Sequence, residues 1–167
     1  MNMTLSLNAI AEKWLDVLKK SKLLEDYCQK HYHRSPKFFI GADPKNPPQA
    51  PNCPYIMIIP TGKSEWMEPS NTYKLLVVVV ISQKNKRVDN QTLYPKDYEL
   101  YKVIRVTGSY EINEIADLVA CELQDGCEQH EMHVDTDVMP ETTFPQFAAL
   151  LDITVEITPA MGEELTY

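Results

Sequence analysis

The chain has 167 residues, of which 44% are hydrophobic, and its 24 acidic and 16 basic side chains give a formal charge of -8. This length fits one domain, and the apolar content is typical of a folded globule and excludes wholesale disorder. The negative charge argues against a dedicated nucleic-acid-binding module and against an anionic membrane surface as the main partner. The sequence also lacks the GxGxxG and GxxxxGK[ST] patterns of phosphate-binding loops.

The sequence predicts a cytoplasmic location. The longest apolar run covers residues 75–81, whereas a membrane helix needs roughly 18 apolar residues. Glu12 and Lys13 interrupt the first apolar stretch, which argues against a secretory signal peptide. We therefore expect the four cysteines to be reduced thiols.

The N-terminal segment, residues 1–35, is predicted to be helical. Apolar residues recur at helical spacing over residues 7–18, and Ser6 or Asn8 is the expected N-cap. Ser21 can cap a second helical stretch, and the pattern fits both a bend there and one straight helix that ends before Pro36. Four residues of that second stretch share a face, namely Leu24, Tyr27, Cys28 and His31.

Residues 36–83 are predicted to form strands around a proline-rich loop. The loop covers residues 43–54, whose five prolines exclude an inner strand. Strands are expected over residues 37–42 and 55–60 on either side of it. A further strand is expected over residues 73–83, where positions 75–81 are all apolar, which predicts a central strand covered on both faces.

Residues 84–101 are polar and without a clear period, and we interpret them as an arm that contacts a partner. Loops longer than about 12–15 residues are uncommon in compact domains and are often functional. Lys84, Lys86 and Arg87 form the local basic cluster of the sequence and are the predicted interface residues. A self-associating protein of negative charge needs positive patches to meet its own negative ones. The alternative is a solvated loop tip that blunts a sheet edge.

The C-terminal part is predicted to contain a helix and a hairpin. A short strand over residues 101–107 leads into an amphipathic helix over residues 108–126, with Gly126 as the expected left-handed C-cap. Polarity then alternates along two segments of residues 130–158, which predicts an antiparallel hairpin with one face in the core. Residues 159–167 are expected to be a loose tail. The fold class is α+β, a mainly antiparallel sheet of about four to five strands with two amphipathic helices packed on it.

Two groups of cysteines and histidines have the chemistry of zinc ligands, but their spacing does not predict a metal site. In both groups the residues are divided between helix, turn and strand, or lie at a half-buried helix end. Cys53, a possible nucleophile, has no basic neighbour in the sequence and is interpreted as a thiol between a loop and a strand. The two groups are Cys121, Cys127, His130 and His133, and Cys28, His31 and His33.

Acidic residues of the C-terminal strands give an alternative hypothesis. They could supply the paired carboxylates of a divalent-metal-dependent hydrolase or nuclease, although a solvated acidic face explains them as well. The sequence contains no GxSxG, HExxH or DxDxDG pattern, so no catalytic, cofactor-binding or metal residue is predicted. A small adaptor that binds a partner through the proline-rich loop is a further alternative. The acidic residues are Asp135, Asp137, Asp152 and Glu156.

Three passages resemble the lambda-type tail terminator proteins of long-tailed phages, a minor tail protein family. They are FFIGADP at residues 38–44, PYIMIIPTG at residues 54–62 and LDITVEI at residues 151–157. With the order of the elements, the resemblance covers most of residues 5–158, and the chain is longer than the lambda-type protein in the proline-rich loop and the arm. It implies a hexameric ring at the end of the tail tube, without catalysis or cofactor. Tail-tube and head-completion proteins would be its partners, in the host cell and the virion.

Overall fold

A computed structural model of the chain describes residues 5–65, 70–92, 100–127, 130–139 and 144–158. The predicted tail, residues 159–167, and residues 93–99 of the predicted arm lie outside the described residues. The elements, in chain order, are α1 Leu7–Lys20, α2 Lys22–Tyr32, β1 Lys37–Ile40, a 3-10 turn at Ala50–Asn52, β2 Tyr55–Ser64, β3 Asn71–Ser82, β4 Lys86–Thr92, β5 Leu100–Val106, α3 Thr107–Gly126, β6 Glu131–Met139 and β7 Gln146–Ile157.

The strands form a five-stranded sheet in the order β1-β2-β3-β7-β6 and a separate two-stranded sheet of β4 and β5. Every neighbouring pair is antiparallel except β1 and β2, which run parallel. β3 is central, as its run of apolar residues predicts. The α+β class and the mainly antiparallel sheet are therefore confirmed.

The chain bends at Ser21, so the N-terminal segment forms two helices. Ser6 caps α1 by accepting the backbone N–H of Asn8 at 3.2 Å. Ser21 has extended backbone angles, which end α1, and its hydroxyl accepts the N–H of Leu24 at 3.1 Å to start α2. The C-cap of α2 is His33, which adopts the left-handed conformation with φ 57°. The helix therefore ends before Pro36, as the sequence predicts. With α3, the described residues contain three α-helices where the sequence predicted two.

The main core lies between the three helices and one face of the five-stranded sheet. Trp14 of α1 and Tyr73 of β3 are among its largest fully buried side chains. Alternate residues of β3, such as Val77 and Val79, point into this core. The intervening residues of β3 lie on the opposite face, which we call the outer face. Two of these intervening residues, Val78 and Val80, belong to a smaller apolar cluster on the outer face. The other buried members of this cluster are Cys53, Tyr55 and Ala148.

Gly126 is not the left-handed C-cap that the sequence predicts. It is the last residue of α3, and Gly41, with φ 84°, is the glycine with positive φ in the described chain. A Cβ atom at position 126 would lie 2.5 Å from Cγ1 of Val17 and 2.9 Å from its Cγ2. The glycine is therefore explained by the close approach of α1 and α3 and not by a backbone turn.

The prediction of an irregular arm over residues 84–101 is wrong for its first half. Residues 86–92 form β4, which pairs with β5 in continuous antiparallel register from Lys86 and Val106 to Thr92 and Leu100. The short strand predicted over residues 101–107 is confirmed as β5. Polar residues dominate β4, and a strand with few apolar residues is hard to recognise without its pairing partner.

Candidate functional site

The strands β4 and β5 form a ladder that carries an exposed apolar pair. From here on, the arm means these two strands, Lys86–Thr92 and Leu100–Val106, in place of the predicted residues 84–101. Val88 and Ile104 are direct cross-strand partners, so their side chains lie on the same face of the hairpin. They are 56% and 60% exposed. β4 and β5 pair with each other in a sheet of their own. The arm therefore presents two adjacent β-branched side chains to the solvent.

The predicted basic cluster lies at the base of the arm, and two of its members have partners within the chain. The Nζ atom of Lys86 lies 4.9 Å from the centre of the Phe144 ring, a cation–π contact. The guanidinium of Arg87 donates from Nε to Asp89 at 3.0 Å, and Arg105 of β5 also pairs with Asp89. These contacts bind the two strands to each other and the arm to the segment before β7.

Two lysines of the arm region stay exposed without a hydrogen-bond, ion-pair or ring partner among the described residues, namely Lys84 and Lys102. Lys84 belongs to the predicted cluster and lies in the connection between β3 and β4. Lys102 is two residues from Ile104 along β5, so both point to the same face of the arm. That face is thus both apolar and cationic.

The arm is attached to the domain through Gln83. The backbone N–H of Gln83 donates to the carbonyl of Pro145 at 2.9 Å. Its side-chain Nε2 donates to the carboxylate of Glu111, at 3.2 Å from Oε1 and 3.1 Å from Oε2. On the other strand, the N–H of Thr107 donates to the carbonyl of Asn85 at 3.1 Å. Gln83 therefore attaches the start of β4 to the domain, and the bond between Thr107 and Asn85 holds the two strands together where they leave it.

Glu111 is the buried charge of this attachment, with 6% of its surface exposed. The hydroxyl of Tyr32 in α2 donates to Oε2 of Glu111 at 3.1 Å. Burial, reinforced by the neighbouring carboxylate, raises the pKa of the Tyr32 hydroxyl, so it remains a donor. We call Glu111, Tyr32 and Gln83 the Glu111 network. It joins α2, α3 and the end of β3, and a buried carboxylate is stable only with such donors.

The Glu111 network is not among the features that the sequence predicts. One signal was available, because Glu111 precedes Ile115 by four residues and so lies on the apolar stripe of the predicted helix. An acidic residue on such a stripe indicates a buried carboxylate that needs donors. No comparable signal identifies Tyr32 and Gln83 as those donors, since each lies at the end of its own element. The exposed apolar pair was missed because β4 was not recognised as a strand.

The outer face of the sheet is apolar on one side and acidic on the other. The acidic side belongs to β6 and β7, whose register places Asp135 opposite Asp152 and Glu131 opposite Glu156. All four carboxylates are exposed, as is Asp137, which lies opposite Leu150. The predicted acidic residues, Asp135, Asp137, Asp152 and Glu156, therefore share one face. On the apolar side, partly buried side chains pack against the smaller cluster; they include Met57, Ile59, Leu76 and Leu150.

The acidic side does not have the geometry of a metal site in the described part of the chain. No group of three or more histidine, cysteine or acidic side chains there is placed to hold a metal ion. The Nε2 atom of His133 lies 3.4 Å from Oδ1 of Asp135, and both side chains are about three-quarters exposed, at 76% and 73%. The carboxylates are spread along two strands and do not converge in a pocket.

The cysteines and histidines of the two candidate zinc groups are also not brought together as ligands in the described residues. His31 stacks on Tyr27, with ring centres 4.1 Å apart, and Cys121 is exposed on α3. Burial raises the pKa of Cys28 to about 12. Burial also raises the pKa of Cys53 to about 11, although the positive charge of Arg34 lowers it. Both are thiols at neutral pH, and a thiol is a weak nucleophile.

Comparison with protein-family models and with curated proteins gives no match. In the described part of the chain, none of the helices combines the length and the apolar character needed to cross a bilayer.

Proposed function

We propose that the protein is a structural subunit of a phage or prophage tail, similar to the tail terminator proteins, which assembles into a ring at the end of the tail tube. The arm is the observation that carries this proposal. A two-stranded hairpin is marginally stable alone in water. This one also exposes Val88 and Ile104 to solvent. A second protein surface that covers the pair would stabilise the arm, and a ring of identical subunits supplies that surface at every position.

The distribution of charge favours a further copy of the chain as the partner. The chain has a net charge of -8, yet the arm face with the apolar pair includes the exposed Lys102. On β6 and β7 the outer face has exposed carboxylates and no Lys or Arg. The exposed Lys74 of β3 is on the same face but lies opposite Thr154, four residues along β7 from Leu150. Complementary charges on different patches of one surface promote association of identical chains and limit wrong pairings.

The role in the tail is supported by the three passages that resemble the tail terminator family. They fall on β1 and the turn after it, on β2, and on β7. The family resemblance implies six subunits, with tail-tube and head-completion proteins as partners. In this proposal the protein acts by assembly and without a cofactor.

Light scattering coupled to size exclusion, together with negative-stain imaging, tests the proposal. We expect a mass of several times 19.2 kDa and ring-shaped particles. Val88→Asp with Ile104→Asp is expected to reduce the mass towards that of the monomer. Leu23→Asp is the matched control, because Leu23 is similarly exposed, at 62%, but lies on α2. A monomeric wild-type chain over the micromolar range would refute the proposal.

A further inference from the structure

We infer that the copies associate head to tail, with the arm of one copy on the outer face of the next. Val88 and Ile104 would contact the apolar side of that face, and Lys102 would lie against the carboxylates of β6 and β7. This inference rests on the proposed self-assembly and identifies the two surfaces that perform it.

The apolar parts of the two surfaces match in position. On the outer face, Met57 of β2, Leu76 of β3 and Leu150 of β7 are partly buried side chains that lie over the smaller cluster. The register places Met57 opposite Val78 and Val78 opposite Leu150, which makes a continuous apolar row across three strands. Such a row is wide enough for the Val88–Ile104 pair, whose two Cα atoms are roughly 5 Å apart. Contact would remove both exposed side chains from water.

The charges match in the same arrangement. On the outer face, Asp137 lies directly opposite Leu150, so a carboxylate borders the apolar row. On the arm, Lys102 is two residues from Ile104, roughly 7 Å along the strand. Docking that places Ile104 near Leu150 therefore brings the exposed ammonium group of Lys102 into the region of Asp137 and its neighbours. The opposite face of the arm is less suited to this contact, because Arg87 and Arg105 already pair with Asp89.

A contact between two different patches of one chain is heterologous. Repetition of a heterologous contact with a constant rotation gives either a closed ring or an open filament. A contact of the arm with another arm would be isologous and would stop at a dimer. The same two patches would give a two-fold dimer only if each copy placed its arm on the outer face of the other, and the mass of the oligomer distinguishes that dimer from a ring.

Disulfide cross-linking between two variants that each have one introduced, exposed cysteine tests the arrangement. Both variants have Cys121→Ser, which removes the exposed native thiol. One has Ile104→Cys, and the other has Asp137→Cys and a tag of different mass. We expect an oxidised mixture of the two variants to give a disulfide-linked heterodimer. Its yield should be at least fivefold higher than that of the linked homodimer formed by either variant alone. Leu23→Cys in place of Asp137→Cys is the control and is expected to give no heterodimer.

The outcomes separate the two proposals. Oligomers of normal mass without the cross-link would overturn the head-to-tail contact while leaving self-assembly intact. A linked homodimer of Ile104→Cys in place of the heterodimer would indicate arm-to-arm contact and would also overturn it. A monomeric mass for the wild-type chain would refute both proposals.

A charge swap gives a second readout for the same contact. Lys102→Glu is expected to raise the dissociation constant for self-association at least threefold at low salt, and Asp137→Lys in the same chain is expected to restore it. Circular dichroism verifies that each variant is folded. Failure of the double variant to recover would overturn the pairing of Lys102 with β6.

Discussion

The hydroxyl of Tyr32 offers a direct test of the Glu111 network. Tyr32→Phe removes the donor to Glu111 and changes little else. A hydrogen bond to a buried charged group contributes about 1.5–3 kcal/mol. The O···O distance of 3.1 Å is longer than the 2.5–2.7 Å typical of bonds from a hydroxyl to a carboxylate. We therefore expect a loss of about 1.5–2 kcal/mol in the free energy of unfolding.

For a chain of this size the loss corresponds to a decrease of about 3–8 °C in melting temperature. Calorimetry and urea titration both measure it. Tyr55→Phe is the matched control. The Tyr55 side chain also packs in an apolar cluster, but its hydroxyl has no hydrogen-bond partner among the described residues. In a Glu111→Gln background the acceptor is neutral, and Tyr32→Phe is expected to cost less than about 1 kcal/mol. Equal losses for Tyr32→Phe with and without Glu111→Gln would refute the role of the buried charge.

Two further predictions concern packing and buried thiols. Gly126→Ala is expected to destabilise the protein in urea titrations, because overpacking against Val17 costs about 1–3 kcal/mol and exceeds the gain of about 1 kcal/mol in helix propensity. With Val17→Ala the same change should be stabilising, and a loss in both backgrounds would contradict this explanation. A thiol reagent at pH 8 is expected to label Cys121 in the native protein, and Cys28 and Cys53 after unfolding. Since burial raises the pKa of Cys28 from 9.0 to about 12, unfolding above pH 9 releases a proton that the folded state retains. The stability from this thiol is thus complete below pH 9 and lost as pH rises towards 12; native labelling of Cys28 at pH 8 would contradict both expectations.

Much of the fold could be predicted from periodicity. The stripes of α1 and α3, the two-sided apolar run of β3 and the alternation of β6 and β7 each follow from which faces are buried. Capping by Ser6 and Ser21 was also predictable, because the side-chain oxygen satisfies an orphan N–H wherever a helix starts. The C-cap predicted at Gly126 is wrong, because the residue that requires a glycine there, Val17, lies in a helix distant in the sequence.

The arm and its attachment were harder to predict. The position of Lys84, Lys86 and Arg87 at the start of an arm follows from the sequence, but their partners do not. The Lys86–Phe144 contact and the shared Asp89 depend on how β4 meets β5 and the segment before β7. The exposed state of Val88 and Ile104 depends on the arm lying in a sheet of its own, and local sequence carries no such information.

One of the two edge strands of the five-stranded sheet, β6, is expected to respond to salt. It is bonded on one side to β7, and its cross-strand neighbours include Asp135 with Asp152 and Glu131 with Glu156. Like charges that face each other weaken a strand pair, while Met132 and Val134 beneath pack against the core. Dissolved ions screen exposed charges over about 10 Å at 0.1 M, so hydrogen exchange at the amides of β6 is expected to slow as ionic strength increases. The salt concentration would then set how often β6 separates locally from β7, while the interior strands β3 and β7 remain paired.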